Sequence, residues 1–165
     1  MWYWFFKHFS FGRQKKEGFN KALTLIELLL TVAIVGTLAG IAVPLYFGHV
    51  EKQRIATASV DISNIESQIG RWMVMNGRPP NNFAEAGIPA SNDPWGNPYS
   101  YLRIQGISPM PLVRRDKLTK PLNDDYDLYS SGRDGASAIQ LDAGISRDDI
   151  VRANNGAFIG LASEY

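Results

Sequence analysis

The sequence has no cysteine among its 165 residues and only two histidines, His8 and His49. Without cysteine there is no thiolate nucleophile, no disulfide staple, no redox pair and no Cys-ligated zinc site. Two such distant histidines argue against a multi-histidine metal site. An excess of charge of one sign is missing too: 17 Lys and Arg stand against 16 Asp and Glu, a formal charge of +1. That balance argues against a nucleic-acid binder. Charge is scarcest between Leu23 and Phe47, where Glu27 is the only charged residue in 25. The remainder, 45% hydrophobic and 12% aromatic, is a globular composition at a length suited to one domain. It excludes a disordered chain and a collagen-like fibre.

The averages conceal an uneven distribution. Seven of the first eleven residues are aromatic, and Arg13, Lys15, Lys16 and Lys21 follow, broken only by Glu17. The apolar run 23–47 would be roughly 37 Å long as a helix, enough for a hydrocarbon core of about 30 Å. Positive charge ahead of the span predicts a cytoplasmic N-terminus. The run is too long for a typical signal-peptide core, though a plain signal anchor fits the same features. Glu27 is the exception within it. A carboxylate costs on the order of 2.5–3.5 kcal/mol at the bilayer centre and less near the interface. It can snorkel to the headgroups, or a positive group from a partner can neutralise it. A free α-amine created by a cut just before Leu23 would serve.

Beyond the span the periodicity changes. Ile55, Ala58, Ile62, Ile65, Ile69 and Trp72 recur at intervals of three and four, an apolar stripe on an otherwise polar helix. The pattern predicts one helix from Leu23 to Met75, roughly 80 Å long, stopped by Asn76-Gly77 and Pro79-Pro80. Pro44, with Gly36 and Gly40 before it, marks its weakest stretch. The stripe suits the packing face of a small head better than a free coiled coil, which needs more heptads. In the head, Tyr99–Ile104 and Tyr126–Ser130 read as strands, while Pro109, Pro111 and Pro121 keep the chain between them out of a central strand. The expected fold is α+β: a long N-terminal helix packed on a small antiparallel sheet, with a C-terminal loop region. The expected divisions are a leader at 1–22, a membrane or filament-core helix at 23–47, its amphipathic continuation at 48–75, and a globular head at 76–165. The tail Ile150–Tyr165 carries no clear assignment.

The chemistry in the head is acidic. Asp124, Asp125, Asp127, Asp134, Asp142, Asp148 and Asp149 fall within 26 positions. Calcium takes six to eight oxygens, from carboxylates and loop carbonyls together, and Gly132, Gly135 and Gly144 would let this loop turn carbonyls inward. A solvated acidic loop accounts for the same charges. The spacing is not that of an EF-hand. Arg114, Arg115, Lys117 and Lys120 form one short basic run that reads as a solvated turn.

Ala22-Leu23-Thr24-Leu25-Ile26-Glu27-Leu28, after a short basic leader, resembles the processing signal of type IV pilins and type II secretion pseudopilins. The resemblance implies that a prepilin peptidase cuts between Ala22 and Leu23 and N-methylates Leu23. Gly18-Phe19 is a more familiar junction, but a cut there would put Glu27 ninth rather than fifth. Gly36 and Pro44 match family positions in the span and, with Glu27, would act in assembly. Ala22 stands where Gly is usual. Further on, Asp93-Pro-Trp-Gly-Asn-Pro-Tyr99, Asp127-Leu-Tyr-Ser-Ser-Gly-Arg-Asp-Gly135 and Asp148-Asp-Ile150 resemble the succession in the G-class, or major, pseudopilin. That class implies one structural calcium ion (Ca2+), here on the Ser131 backbone carbonyl, Asp134, Asp148 and Asp149. The interval from 134 to 148 is long for the class, and Asp142 within it is a substitute ligand.

The function implied is a structural subunit of a type II secretion pseudopilus, a filament in protein export across the outer membrane. Its partners would be copies of itself, minor pseudopilins, an inner-membrane assembly platform and the prepilin peptidase. It would cross the bacterial inner membrane once, head in the periplasm, and enter a periplasmic pseudopilus. The alternative is a type IV major or minor pilin for adhesion, motility or DNA uptake; those usually close a C-terminal loop with a disulfide. An enzyme is disfavoured by the absence of a Ser/His/Asp arrangement, and no nucleic-acid partner is expected. Cutting at Ala22 would divide the charge into a basic leader of net +4 and a mature chain of net −3, with 12 basic and 15 acidic residues.

Overall fold

A computed structural model describes residues 23–106, 112–116 and 120–165. The leader with Ala22, and Pro109, Pro111 and Lys117, lie outside the described residues. Helix α1 spans Leu25–Asn76, 52 residues with Pro44 inside it. Its start is closed by a capping box. The Glu27 carboxylate accepts the Thr24 N–H and hydroxyl, both at 2.8 Å, and the Glu27 N–H donates to the Thr24 hydroxyl oxygen at 3.3 Å. These bonds occupy backbone donors that a helix start otherwise leaves unpaired. At the other end Gly77, at φ +69°, donates its N–H to the Met73 carbonyl at 2.8 Å, and the turn leaves the helix there.

The chain forms two compact units, Met1–Val43 and Pro44–Tyr165. In the first, every described residue is exposed, among them Leu28, Leu29, Leu30, Val35 and Leu38. The helix is long and apolar enough to cross a membrane, with a mean hydropathy of 2.3 over its most apolar window.

The second unit holds the sheet. Strands β1 (Ser100–Arg103), β2 (Tyr126–Ser130), β3 (Ile150–Ala153) and β4 (Phe158–Leu161) lie in the order β1-β2-β3-β4, each antiparallel to its neighbour. One face packs on the amphipathic stripe of α1. Ala58, Ile62, Ile65 and Ile69 are buried there with Tyr99, Tyr126, Leu128 and Ile150, and Ile55 packs at the edge. Each Ile or Leu among them contributes about 1.5–3 kcal/mol when fully buried. The other face carries a second cluster of Leu122, Leu141, Val151, Ala153 and Ala162, flanked by Tyr129 and Phe158. The sheet is therefore covered on both sides, and the segments around Leu122, Leu141 and Ala162, outside the strands, supply the second cover.

The C-terminal tail, unassigned from sequence, forms half of the sheet. Its hairpin turns at Asn154-Asn155-Gly156, all three at positive φ (51°, 55° and 92°). Asn and Gly tolerate that region best. Gly156, at φ +92°, suits glycine, and a β-carbon there would also displace the Glu66 carboxylate, whose Oε1 lies 2.0 Å from that position.

Candidate functional site

The residues singled out from sequence lie in two places, the stretch from Leu23 to Pro44 that opens α1, and the C-terminal loop. At the helix start, Leu23 immediately precedes the Thr24–Glu27 capping box. The Thr24-x-x-Glu27 spacing is itself a helix-start signal that the periodicity reading passed over. Gly36 meets nothing within 4 Å of where a β-carbon would sit, and it lies in the fully exposed part of α1.

The loop cover is built from short segments stitched to one another. Arg115 N–H donates to the Ile139 carbonyl at 2.8 Å, Leu141 N–H to the Arg115 carbonyl at 3.0 Å, and Leu122 N–H to the Arg114 carbonyl at 2.9 Å. Asp93 lies buried in the Asp93–Asn97 turn. Its carboxylate accepts the Trp95 and Asn97 N–H groups at 3.0 and 2.8 Å, and also the Ser130 hydroxyl. Asn97 Nδ2 in turn donates to the Gly132 carbonyl at 2.8 Å.

Gly132, at φ +62°, fixes the next turn. A β-carbon there would lie 2.2 Å from the Asp148 carbonyl oxygen. That approach brings the backbone of 133–134 onto Asp148, whose Oδ2 accepts the Arg133 and Asp134 N–H groups at 2.9 and 3.0 Å. Asp134 Oδ1 accepts the Ala136 N–H at 2.8 Å. The turn Ser131–Asp134 and Asp148 therefore meet.

Asp149 does not join them. Adjacent positions entering an extended segment point to opposite sides, and Asp149 faces inward, with none of its side chain exposed. Its Oδ2 accepts Arg114 Nη2 at 2.6 Å and the Ser137 hydroxyl at 2.7 Å. Arg114 Nη1 donates to Ser137 Oγ at 2.5 Å, and the guanidinium lies over the Tyr129 ring at 4.1 Å. Burial pushes the Asp149 carboxyl above its ordinary range, while the Ser137 hydrogen bond and the Arg114 charge pull it down. Asp142 lies elsewhere, lining a cavity of about 460 Å³ with Asp116, Leu141, Arg147 and Tyr165.

The expected calcium ligands thus do not fit one ion as a set. Among the described residues no group of three or more His, Asp or Glu side chains is disposed to hold a metal. The Asp149 carboxylate, moreover, already carries a guanidinium, which repels a divalent cation at close range. Nor are the seven acids one solvated cluster. Asp127 is buried under the Arg114 N–H and Asn123 Nδ2, at 2.8 and 3.0 Å, and Asp125 receives the fork of Arg152 at 2.8 and 2.9 Å. Arg114, read from sequence as part of a solvated turn, is 3% exposed. Its carboxylate partner is 35 residues away, a separation that no local pattern reveals.

No protein-family profile matches the chain, and no solved structure does. Among curated proteins, the type II secretion system core protein G of Pseudomonas aeruginosa is 29% identical over 74% of this chain and 87% of its own length. The core protein G of Aeromonas hydrophila is 28% identical over 80% of this chain and 93% of its own. A fimbrial protein of Neisseria meningitidis serogroup A is 24% identical over 82% of this chain and 81% of its own. One long N-terminal helix and a four-stranded antiparallel sheet form an α+β, pilin-like arrangement, and over most of its length the chain is similar to type IV pilins and core protein G pseudopilins. Its homologues are structural pilins and pseudopilins that form filaments.

Proposed function

We propose that this protein is a structural subunit of a type II secretion pseudopilus, acting in protein export across the outer membrane. The observation that carries the reading is the similarity to core protein G, which runs over nearly the whole of those relatives. Supporting it, the head closes its C-terminal loop with hydrogen bonds and buried ion pairs in a chain without cysteine.

In this reading a prepilin peptidase cuts between Ala22 and Leu23 and methylates the new amine. The exposed apolar residues of the first unit span the inner membrane once, with the head in the periplasm. They then pack against those of other copies in the filament, where Gly36 and Pro44 permit local loosening. Glu27, held at the helix start by Thr24, meets the Leu23 amine of a neighbour there. The minor pseudopilins and the inner-membrane platform are the partners in assembly, and the role is structural rather than enzymatic.

The similarity to the Neisseria fimbrial protein supports a second reading, a type IV pilin. Deleting the gene separates the two. The secretion reading expects exoproteins to be retained in the periplasm while twitching and transformation continue. Loss of twitching or transformation with normal exoprotein release would establish the pilus reading instead.

A further inference from the structure

We infer that the head is held by a built-in cation, the Arg114 guanidinium, where the resemblance implies a calcium ion, and that it folds without a divalent metal. A multidentate ion orders a long loop by collecting oxygens from distant segments, which offsets the entropy lost on ordering. Arg114 makes the same collection with covalently tethered donors. Nη2 takes Asp149 at 2.6 Å, Nη1 takes Ser137 at 2.5 Å, and the backbone N–H takes Asp127 of β2 at 2.8 Å. Ser137 closes the ring by donating to the same Asp149 oxygen at 2.7 Å. Three segments of the loop cover and one strand are joined through this single residue.

The surroundings suit a guanidinium. Its plane lies over Tyr129 at 4.1 Å, a contact that a compact, hydrated ion cannot make in the same way. The pair is buried, with 3% of the Arg114 side chain exposed and none of Asp149. The backbone that carries the guanidinium is stitched to the loop, through the Arg114 carbonyl to Leu122 and through Arg115 to Ile139 and Leu141. Asp149 Oδ1 and Arg114 Nε are buried without hydrogen-bond partners. A divalent ion on that Oδ1 would lie within a few ångströms of the positive charge, an arrangement that Coulomb repulsion disfavours. Of the remaining expected side-chain ligands on the turn, Asp148 engages Oδ2 and Asp134 engages Oδ1 in hydrogen bonds with backbone N–H groups. The inference holds equally for a secretion or a pilus subunit.

Thermal melting of the full chain in detergent micelles, followed by near-ultraviolet circular dichroism, tests it. Excess EGTA and millimolar calcium are each expected to leave Tm unchanged, since an ion that does not bind the native state cannot stabilise it. Arg114→Met, which strands a buried carboxylate, is expected to lower Tm by about 10 °C. Arg114→Met/Asp149→Asn is expected to recover most of that loss, because the unpaired charge is gone. A wild-type Tm that falls in EGTA and returns with calcium would overturn the inference, and this arm stands even if Arg114→Met does not fold. A double variant that melts no higher than Arg114→Met would also overturn it.

Discussion

Arg152 on β3 and Glu66 on α1, 86 residues apart in sequence, meet at 2.7 Å between Nε and Oε1. The same guanidinium forks onto Asp125 at 2.8 and 2.9 Å and lies over the Tyr126 ring at 4.1 Å, with 3% of its side chain exposed. Burial alone would lower its pKa. The hydrogen bonds it donates to Asp125 and Glu66 outweigh that and raise it, so Arg152 stays charged inside the head. Two buried arginines therefore organise the second unit. Arg152 ties the sheet to the helix, and Arg114 ties the loop cover to the sheet.

Arg152→Met is expected to destabilise the protein by about 3–5 kcal/mol, the usual cost of removing one partner from a buried charged network. Arg152→Lys is expected to recover little, since an ammonium cannot span Glu66 and Asp125 as the planar fork does. Urea unfolding of the two variants beside the wild type checks both. Equal stability of the lysine variant and the wild type would show that charge alone suffices.

Gly132→Ala introduces two penalties at once. The backbone lies at φ +62°, where a β-carbon costs roughly 1–2 kcal/mol, and that carbon would meet the Asp148 carbonyl at 2.2 Å. Backbone cannot swing away as a side chain tip can. A loss of at least about 2 kcal/mol is expected, larger than for alanine at Gly144, where a β-carbon meets nothing within 4 Å. Thermal melts of the two variants measure the difference.

The pH dependence should reveal Asp127. Burial raises its carboxyl above the ordinary 3.8, against the pull of the Arg114 N–H and Asn123. The native state then holds this proton at pH values where the unfolded chain has lost it. The contribution of Asp127 to stability is accordingly greatest below about pH 4 and falls as pH rises through its native pKa. Asp127→Asn removes that titration, so the stability difference should move in favour of the variant as pH rises from about 4 to 7. A difference that stayed constant, or moved toward the wild type, would show that the native carboxyl is not raised.

Much of this arrangement is legible in the residues. The stripe from Ile55 to Trp72 encodes the packing face of α1, and Tyr126–Ser130 reads as a strand from its density of Tyr126, Leu128 and Tyr129. The second half of the sheet escapes that reading, although Asn154-Asn155-Gly156 between two short apolar runs is a hairpin signal of familiar kind. The acidic loop misleads for a deeper reason. Composition shows that Asp127 and Asp149 are acidic but not that they face inward to Arg114, because their partners come from other segments. Long-range ion pairs leave no periodicity, and they decide what an acidic loop can bind.

The filament-subunit reading depends on how the chain begins once it is in the membrane. Mass spectrometry of the N-terminal peptide of the protein isolated from its own cells measures this directly. The expected result is a chain starting at N-methylated Leu23, which places its amine directly ahead of the Thr24–Glu27 capping box. A mature chain that retains Met1 would overturn the pilin-like processing and, with it, the proposed role in a filament.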